Sequence, residues 1–372
     1  MTDPQALLAS ILRHDAKLST YKIALVRALG DVRLSYLDVR GEEGVAVPLR
    51  LLAEFWLAYY WPFMDDVQPV WQGPRTFCDG VWRNDVSFRP ALTQLRNLWR
   101  ELYGPDTSAD GFTVIHEMRT PRRRASYPSV LREAYGRAIT ALSDALRQPI
   151  RYAGPGLHTV FPKPAAASVL GVPALPGTSP REACLLVTPD LWDTLARMSL
   201  WVEALCVYEW SAFALRLDQD RSEISTLLTT RPDNRRPLSW ERNQVELLML
   251  EGHIFTCPWT HRPLSSEAYD LDHVLPVSVY PINELWNLVP SDRTFNQHKK
   301  RDRLPGLQAF ERAMGALSGT YAAYHASPQL SQVLSEDVSL RFGQPSPQPT
   351  ALALAVSHFV SAVADARNLA RF

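Results

Sequence analysis

The alternation of apolar and polar residues is helical along most of the 372-residue chain. In LSTYKIALVRALG, Leu18, Tyr21, Leu25, Ala28 and Leu29 recur at three-to-four spacing and predict a helix that stops at Gly30. VPLRLLAEFWLAYY predicts a second, with Leu52, Trp56 and Tyr59 or Tyr60 turned inward. ALTQLRNLWRELYG predicts a third, with a stripe of Leu92, Leu95, Leu98, Trp99 and Leu102 and an end at Gly104. A fourth, from Ser129 to Gln148, carries Leu131, Tyr135, Ile139, Leu142 and Leu146, and Pro149 ends it. Pro149 to Pro180 is rich in Pro and Gly and reads as an irregular connector with two short strands. Thr188-Pro189-Asp190 then opens a helix with a hydroxyl cap, a Pro at the first position and an acid in the first turn. That helix is expected to run long and buried through Trp192, Leu195, Trp201 and Leu205. A short helix starts at Ser239, and helices return after Pro305. Beyond a linker at 344–350, Leu352, Val356, Phe359, Val360 and Val363 give the last helix an apolar face, to be covered by this chain or by a second copy.

Composition narrows the function class only a little. With 39 basic and 39 acidic side chains, the chain does not coat nucleic acid non-specifically, so any such partner is met by a local patch. Cys78, Cys184, Cys206 and Cys257 form no CxxC pair, which argues against a disulfide scaffold and a zinc ribbon. The N-terminus lacks the run of a signal peptide, and the most apolar tract, at 198–215, is interrupted by Glu203 and Glu209. A cytoplasmic protein without a membrane span is expected. His116, His158, His253 and His261 have no companions at ligand spacing.

The chemistry is concentrated in residues 257–305. In DLDHVLP, strand formers surround Asp272 and His273, and Pro276 ends regular structure beside them. A carboxylate is a hard ligand suited to magnesium or manganese, and a neutral imidazole beside it can take a proton from water. Hydrolysis of a phosphodiester uses both. Neighbours on a regular strand point to opposite sides, so serving one phosphate requires the backbone to depart from the ideal there. Asn287 is read within a short apolar strand, Trp286 to Val289. Nine residues later Asn296 opens FNQHKKRDRLP, read as a short basic helix.

This phrase resembles the HNH endonucleases, or ββα-metal nucleases, which carry DH-x-x-P, then N, then N or H nine residues on, often followed by Lys. Here these are Asp272-His273-Val274-Leu275-Pro276, Asn287 and Asn296-Gln297-His298-Lys299. Asp270 to Ser278 and Asn296 to Pro305 are also similar to the HNH unit of RNA-guided CRISPR nucleases, with a one-residue shift near the end. Cys257-Pro258-Trp259-Thr260 resembles the C-x-x-T/C opening of many members. The resemblance implies that His273 is the general base and that Asn287 braces the loop orienting it. It implies that Asp272 and Asn296, with His298 as substitute, hold one Mg²⁺ or Mn²⁺; no structural zinc is expected, because Cys257 has no CxxC partner nearby. Asp270 is read as a solvated acid or as an outer support. Lys299, Lys300, Arg301 and Arg303 are read as phosphate contacts, and Arg122, Arg123 and Arg124 as a second cluster on an exposed loop.

The expected fold is α+β and mainly helical, with a ββα-metal HNH module embedded between helical N- and C-terminal regions. The expected divisions are 1–150, helical and recognising substrate or a signal; 151–187, connector; 188–238, helical scaffold; 239–306, nuclease module; and 307–372, C-terminal helices. The expected activity is metal-dependent cleavage of nucleic acid, double-stranded DNA before RNA, by nicking or as a homodimer, in a restriction or phage-defence setting. The rival is a non-catalytic nucleic-acid binder that keeps the HNH fold.

Overall fold

A computed structural model describes residues 3–78, 80–217, 221–230, 238–344 and 346–372. Parts of the expected 188–238 scaffold and of the 344–350 linker lie outside the described residues, as does the side chain of Cys78. The chain forms two compact units, residues 1–35 with 39–231 and residues 36–38 with 232–372.

The first unit is built on helices Tyr21–Ser35, Leu49–Tyr60, Arg89–Tyr103, Asp110–Arg119, Ser129–Tyr152 and Ser199–Leu215. Trp56, Tyr60, Phe63, Phe88 and Trp210 interlock at its centre, with ring centroids 4.8–6.5 Å apart. A small antiparallel sheet places Ala183–Val187 between Val45–Pro48 and Ala165–Ala166. Ala165–Ala166 falls in the Pro/Gly-rich stretch from Pro149 to Pro180, and Ala183–Val187 forms the end of the expected 151–187 connector.

Four local expectations are corrected here. The first helix runs through Gly30 to Ser35, because it is buried on nearly every face and packing outweighs the ~1 kcal/mol that an internal Gly costs. The helix from Ser129 passes Pro149 and ends at Tyr152; this close to the end, the ring removes one hydrogen bond without breaking a long helix. Thr188 precedes Pro189–Arg197 as foreseen, but its hydroxyl makes no capping bond. The long buried helix is two, Pro189–Arg197 and Ser199–Leu215, and Trp201 is 69% exposed. Nine residues separate Trp192 from Trp201, about half a turn out of phase at 3.6 residues per turn, so the two never shared a face.

The second unit holds helices Ser239–Leu250, Leu307–Ala326, Pro328–Phe342 and Pro349–Arg367 around the hairpin Tyr269–His273 and Leu288–Asp292. Trp286 is fully buried, its ring 5.4–5.8 Å from Tyr280, Phe342 and Phe359. The buried Arg341 stacks 3.7 Å over Phe359 and donates to both carboxylate oxygens of Asp38, at 2.8 and 3.3 Å. Among the described residues, Pro349–Arg367 alone is long and apolar enough to cross a membrane. Its expected face, Leu352, Val356, Phe359, Val360 and Val363, is buried within this unit.

Candidate active site

The hairpin pairs Asp272 with Val289 and His273 with Leu288, and a short helical segment follows it directly. Asp292 caps that segment by accepting from Phe295 N at 2.8 Å. After one turn of α-helix, Arg293–Phe295, the chain widens into a π-turn, Asn296–Lys300, closed by Arg301 N donating to Asn296 O at 3.0 Å. Arg301 then takes φ 48°, a left-handed conformation rare for a side chain of its size, and ends the turn. The expected basic helix is therefore only these two turns. Asn287 closes a 3₁₀ turn, Leu285–Asn287, and does not lie within a strand.

Asp272 and His273 reach one cavity of about 210 Å³, which Asn296, Gln297, Lys300 and Arg301 also line. The backbone departs from the strand ideal at the residue after His273. Val274 N still donates in register to Asn287 O at 2.8 Å, and the chain bends over Val274 and Leu275.

His273 is 8% exposed, and its Nε2 lies 2.5 Å from Asn283 Oδ1. The carboxamide oxygen can only accept, so Nε2 carries the proton and Nδ1 keeps its lone pair. Burial pushes the imidazole down to about 4, with the Asn283 bond acting in the opposite sense. The ring is thus neutral at pH 7 and competent to accept a proton.

Asn287 is fully buried and grips Leu275 from both sides: its Oδ1 accepts from Leu275 N at 2.7 Å and its Nδ2 donates to Leu275 O at 2.9 Å. The turn carrying Asn287 is itself held by the helices. Tyr321 donates to Trp286 O at 2.7 Å, Tyr324 to Leu288 O at 3.0 Å, and Leu285 N to Asp337 at 2.8 Å. Asn287→Ala strands a donor and an acceptor at the buried Leu275. It should lower unfolding stability by about 2–4 kcal/mol, read as a drop in the urea midpoint.

Asp272 is 9% exposed, and burial pushes its carboxyl above the ordinary carboxylate range, with the ammonium of Lys300 opposing. Lys300 Nζ donates to Asp272 Oδ1 at 3.1 Å and to His273 O at 2.7 Å. It also lies 3.0 Å from Oδ2, close enough to pair in charge yet not aligned to donate, and among the described residues Oδ2 has no hydrogen-bond partner. Asn296 donates through Nδ2 to Asp270 Oδ2 at 3.4 Å, which leaves its carboxamide oxygen as the end available to a cation. Asp270 is no solvated acid: it also accepts from Arg293 Nε at 3.0 Å and from Gln297 Nε2 at 3.2 Å, tying the strand to the π-turn.

A buried carboxylate oxygen that accepts no hydrogen bond, beside a carboxamide and a cavity of about 210 Å³, fits a hard divalent cation. Among the described residues no group of three His, Cys, Asp or Glu gathers at one point.

The other expected site residues divide clearly. His298 is exposed, and of the Asn296 and His298 pair only Asn296 lines the cavity. Lys299, Arg301 and Arg303 are exposed. Lys300, expected as a surface phosphate contact, is 1% exposed. Four residues separate it from Asn296, which puts the two within about 40° on a helix, and the carboxylate of Asp272 draws it inward. Arg122, Arg123 and Arg124 sit on a short helix, Pro121–Ala125, and not on a loop. They are half-buried, with Arg123 Nη1 3.1 Å from His116 Nδ1 and Arg124 donating to Met118 O at 3.3 Å. Cys257 is a free, buried thiol whose sulfur accepts from Thr260 N and Asp292 N at 3.4 and 3.3 Å, joining the start of the module to the second strand. In the sequence Lys300 reads only as a phosphate contact, not as a partner of Asp272, and Asn283 goes unread. The Asn296–Lys300 spacing signalled the first, and nothing local signalled the second.

Comparison with known families divides the chain in the same places as its chemistry. A family described as a domain of unknown function (DUF8808) matches residues 1–229. The HNH endonuclease family matches residues 257–305, the segment that holds Asp272, His273, Asn287 and Asn296. An HNH domain indicates a nuclease and a nucleic-acid substrate. No curated protein and no solved structure matches the chain.

Proposed function

We propose that this chain, which belongs to the DUF8808 family, is a metal-dependent endonuclease that hydrolyses phosphodiester bonds in double-stranded DNA. One observation carries the reading: a neutral, buried imidazole, a buried carboxylate and a carboxamide converge on a single small cavity. His273 takes the proton of the attacking water at Nδ1, while Asn283 holds Nε2 and so sets the tautomer. Asn287 is the positioning residue, fixing Leu275 and with it the chain that leaves His273. Asp272 and Asn296 would hold Mg²⁺ or Mn²⁺, whose charge favours departure of the leaving oxygen. Lys299, Arg301 and Arg303 contact phosphates beside the cut, and Arg122, Arg123 and Arg124 give the N-terminal unit a second basic surface.

One such site cuts one strand, so a double-strand break requires a homodimer or two successive nicks. The likeness of Asp270–Ser278 and Asn296–Pro305 to the HNH unit of CRISPR nucleases supports a nicking chemistry. A nuclease module joined to a large companion unit supports a restriction or phage-defence setting in the cytoplasm.

The pH dependence has a definite sign. The folded imidazole sits at about 4, against 6.5 for an unperturbed one, so the folded state disfavours protonation. The contribution of His273 to stability is therefore complete above pH 6.5 and is lost as pH falls from 6.5 towards 4. That loss is on the order of 3 kcal/mol at most. In urea titrations across this window, His273→Gln should flatten the slope; an unchanged slope contradicts a neutral, buried His273.

The substrate assignment is tested by incubating the protein and Mg²⁺ or Mn²⁺ with end-labelled duplex DNA, single-stranded DNA and RNA. Internal cuts in duplex DNA are expected. Cuts confined to RNA would transfer the activity to that substrate, and binding without any cut would leave a nucleic-acid binder.

A further inference from the structure

Lys300 makes contacts within the cavity that its reading as a phosphate contact does not account for. Its ammonium is 1% exposed and touches three oxygens: both of the Asp272 carboxylate, at 3.1 and 3.0 Å, and the backbone oxygen of His273, at 2.7 Å. Oxygen donors converging on a point charge are what a cation site provides. The carboxylate that would grip a divalent ion is also the carboxylate that neutralises this ammonium. Lys300 reaches it from the π-turn, whose first residue is Asn296, the other candidate ligand. The cavity that Lys300 lines also opens to Gln297, Arg301 and Asp302, so space exists for the side chain to move aside.

We propose that Lys300 is the resident cation of the metal-free site: it holds Asp272 and the end of the strand in place, and it gives up Asp272 when a divalent ion binds. The inference rests on the assignment of Asp272 as a metal ligand. A buried carboxylate left without a cation would be costly, and the lysine supplies one from within the fold. Its ammonium and a divalent ion on the same carboxylate would repel each other across a few ångströms in a buried site. Divalent binding is therefore opposed by the need to displace Lys300, and the lysine sets the metal concentration at which the site fills.

Two measurements on the full-length protein, both without nucleic acid, test this. The first is calorimetric titration of Mn²⁺ into wild type, Lys300→Met, Asp272→Asn and the double variant. Lys300→Met should bind Mn²⁺ at least tenfold more tightly than wild type, and both proteins carrying Asp272→Asn should lose that binding. Unchanged or weaker binding by Lys300→Met overturns the proposal, because a lysine that merely braces the site would help the ion and not oppose it. The second measurement needs no variant and holds if Lys300→Met fails to fold. Acylation of lysines in the wild-type protein is read by mass spectrometry, with the exposed Lys299 as internal reference. Lys300 should be protected without metal and become labelled as Mn²⁺ is raised; protection that persists at saturating Mn²⁺ overturns the proposal. Mn²⁺ binding that is unaffected by Asp272→Asn in either background would remove the metal assignment itself, a different result from a displacement that fails.

Discussion

Asp272→Ala should lower the unfolding stability of the metal-free protein by about 3–5 kcal/mol, the range for removing one partner of a buried ion pair. The cost arises at Lys300 and not at Asp272. Once the carboxylate is gone, a 1%-exposed ammonium keeps, among the described residues, only the carbonyl of His273 as partner. The same substitution removes the carboxylate from the proposed metal site, so Mn²⁺ should no longer bind there. The two effects separate in a double-mutant cycle. Adding Lys300→Met to Asp272→Ala should recover much of the lost stability and none of the metal binding. Urea denaturation of the four proteins checks the first part, and a loss below about 1 kcal/mol would mean that the pair is solvated.

His273→Ala should lower the rate of strand cleavage by about 10²–10⁴-fold, the range general-base catalysis supplies. Mn²⁺ binding should be unchanged, because the imidazole is not among the proposed ligands. The fold should survive, since Asn287 and not His273 ties the strand end to Leu275. Single-turnover cleavage at saturating metal, with the calorimetric affinity measured in parallel, separates a lost base from a lost ion. Asn283→Ala should fall between wild type and His273→Ala: it frees Nε2 and lets the ring choose either tautomer, while the base remains.

The parts of the site that were legible in the sequence lie close together along the chain. Asp272, His273, Asn287 and Asn296 fall within a 25-residue span, and a hairpin followed by a turn leaves few ways to arrange them. Even so, the local reading put Asn287 inside a strand. It occupies a 3₁₀ turn because its side chain is engaged with Leu275.

What lay hidden depends on contacts distant in sequence or on the exact turn. Asn283 meets His273 only because the 280–288 segment is folded under the helices. Tyr321, Tyr324 and Asp337, from 35 to 52 residues away, hold that segment in place. Lys300 reads as one cation in a basic run until the π-turn sets it beside Asp272, where burial changes its role from surface charge to internal counter-ion. Trp201 is a different case, legible in the sequence by counting. Apolar residues in a row look like one face, and only counting the phase over nine residues shows that they are not.

Asp272, His273 and Asn296 are proposed to form a metal-dependent hydrolytic site. Conversion of supercoiled plasmid to its nicked form, by wild type and His273→Ala in parallel, with Mg²⁺ or Mn²⁺ and again with EDTA, tests it most directly. Nicking by wild type with metal, abolished by EDTA and reduced at least a hundredfold by His273→Ala, is the predicted result. Nicking that persists in EDTA, or that His273→Ala performs at the wild-type rate, would contradict it.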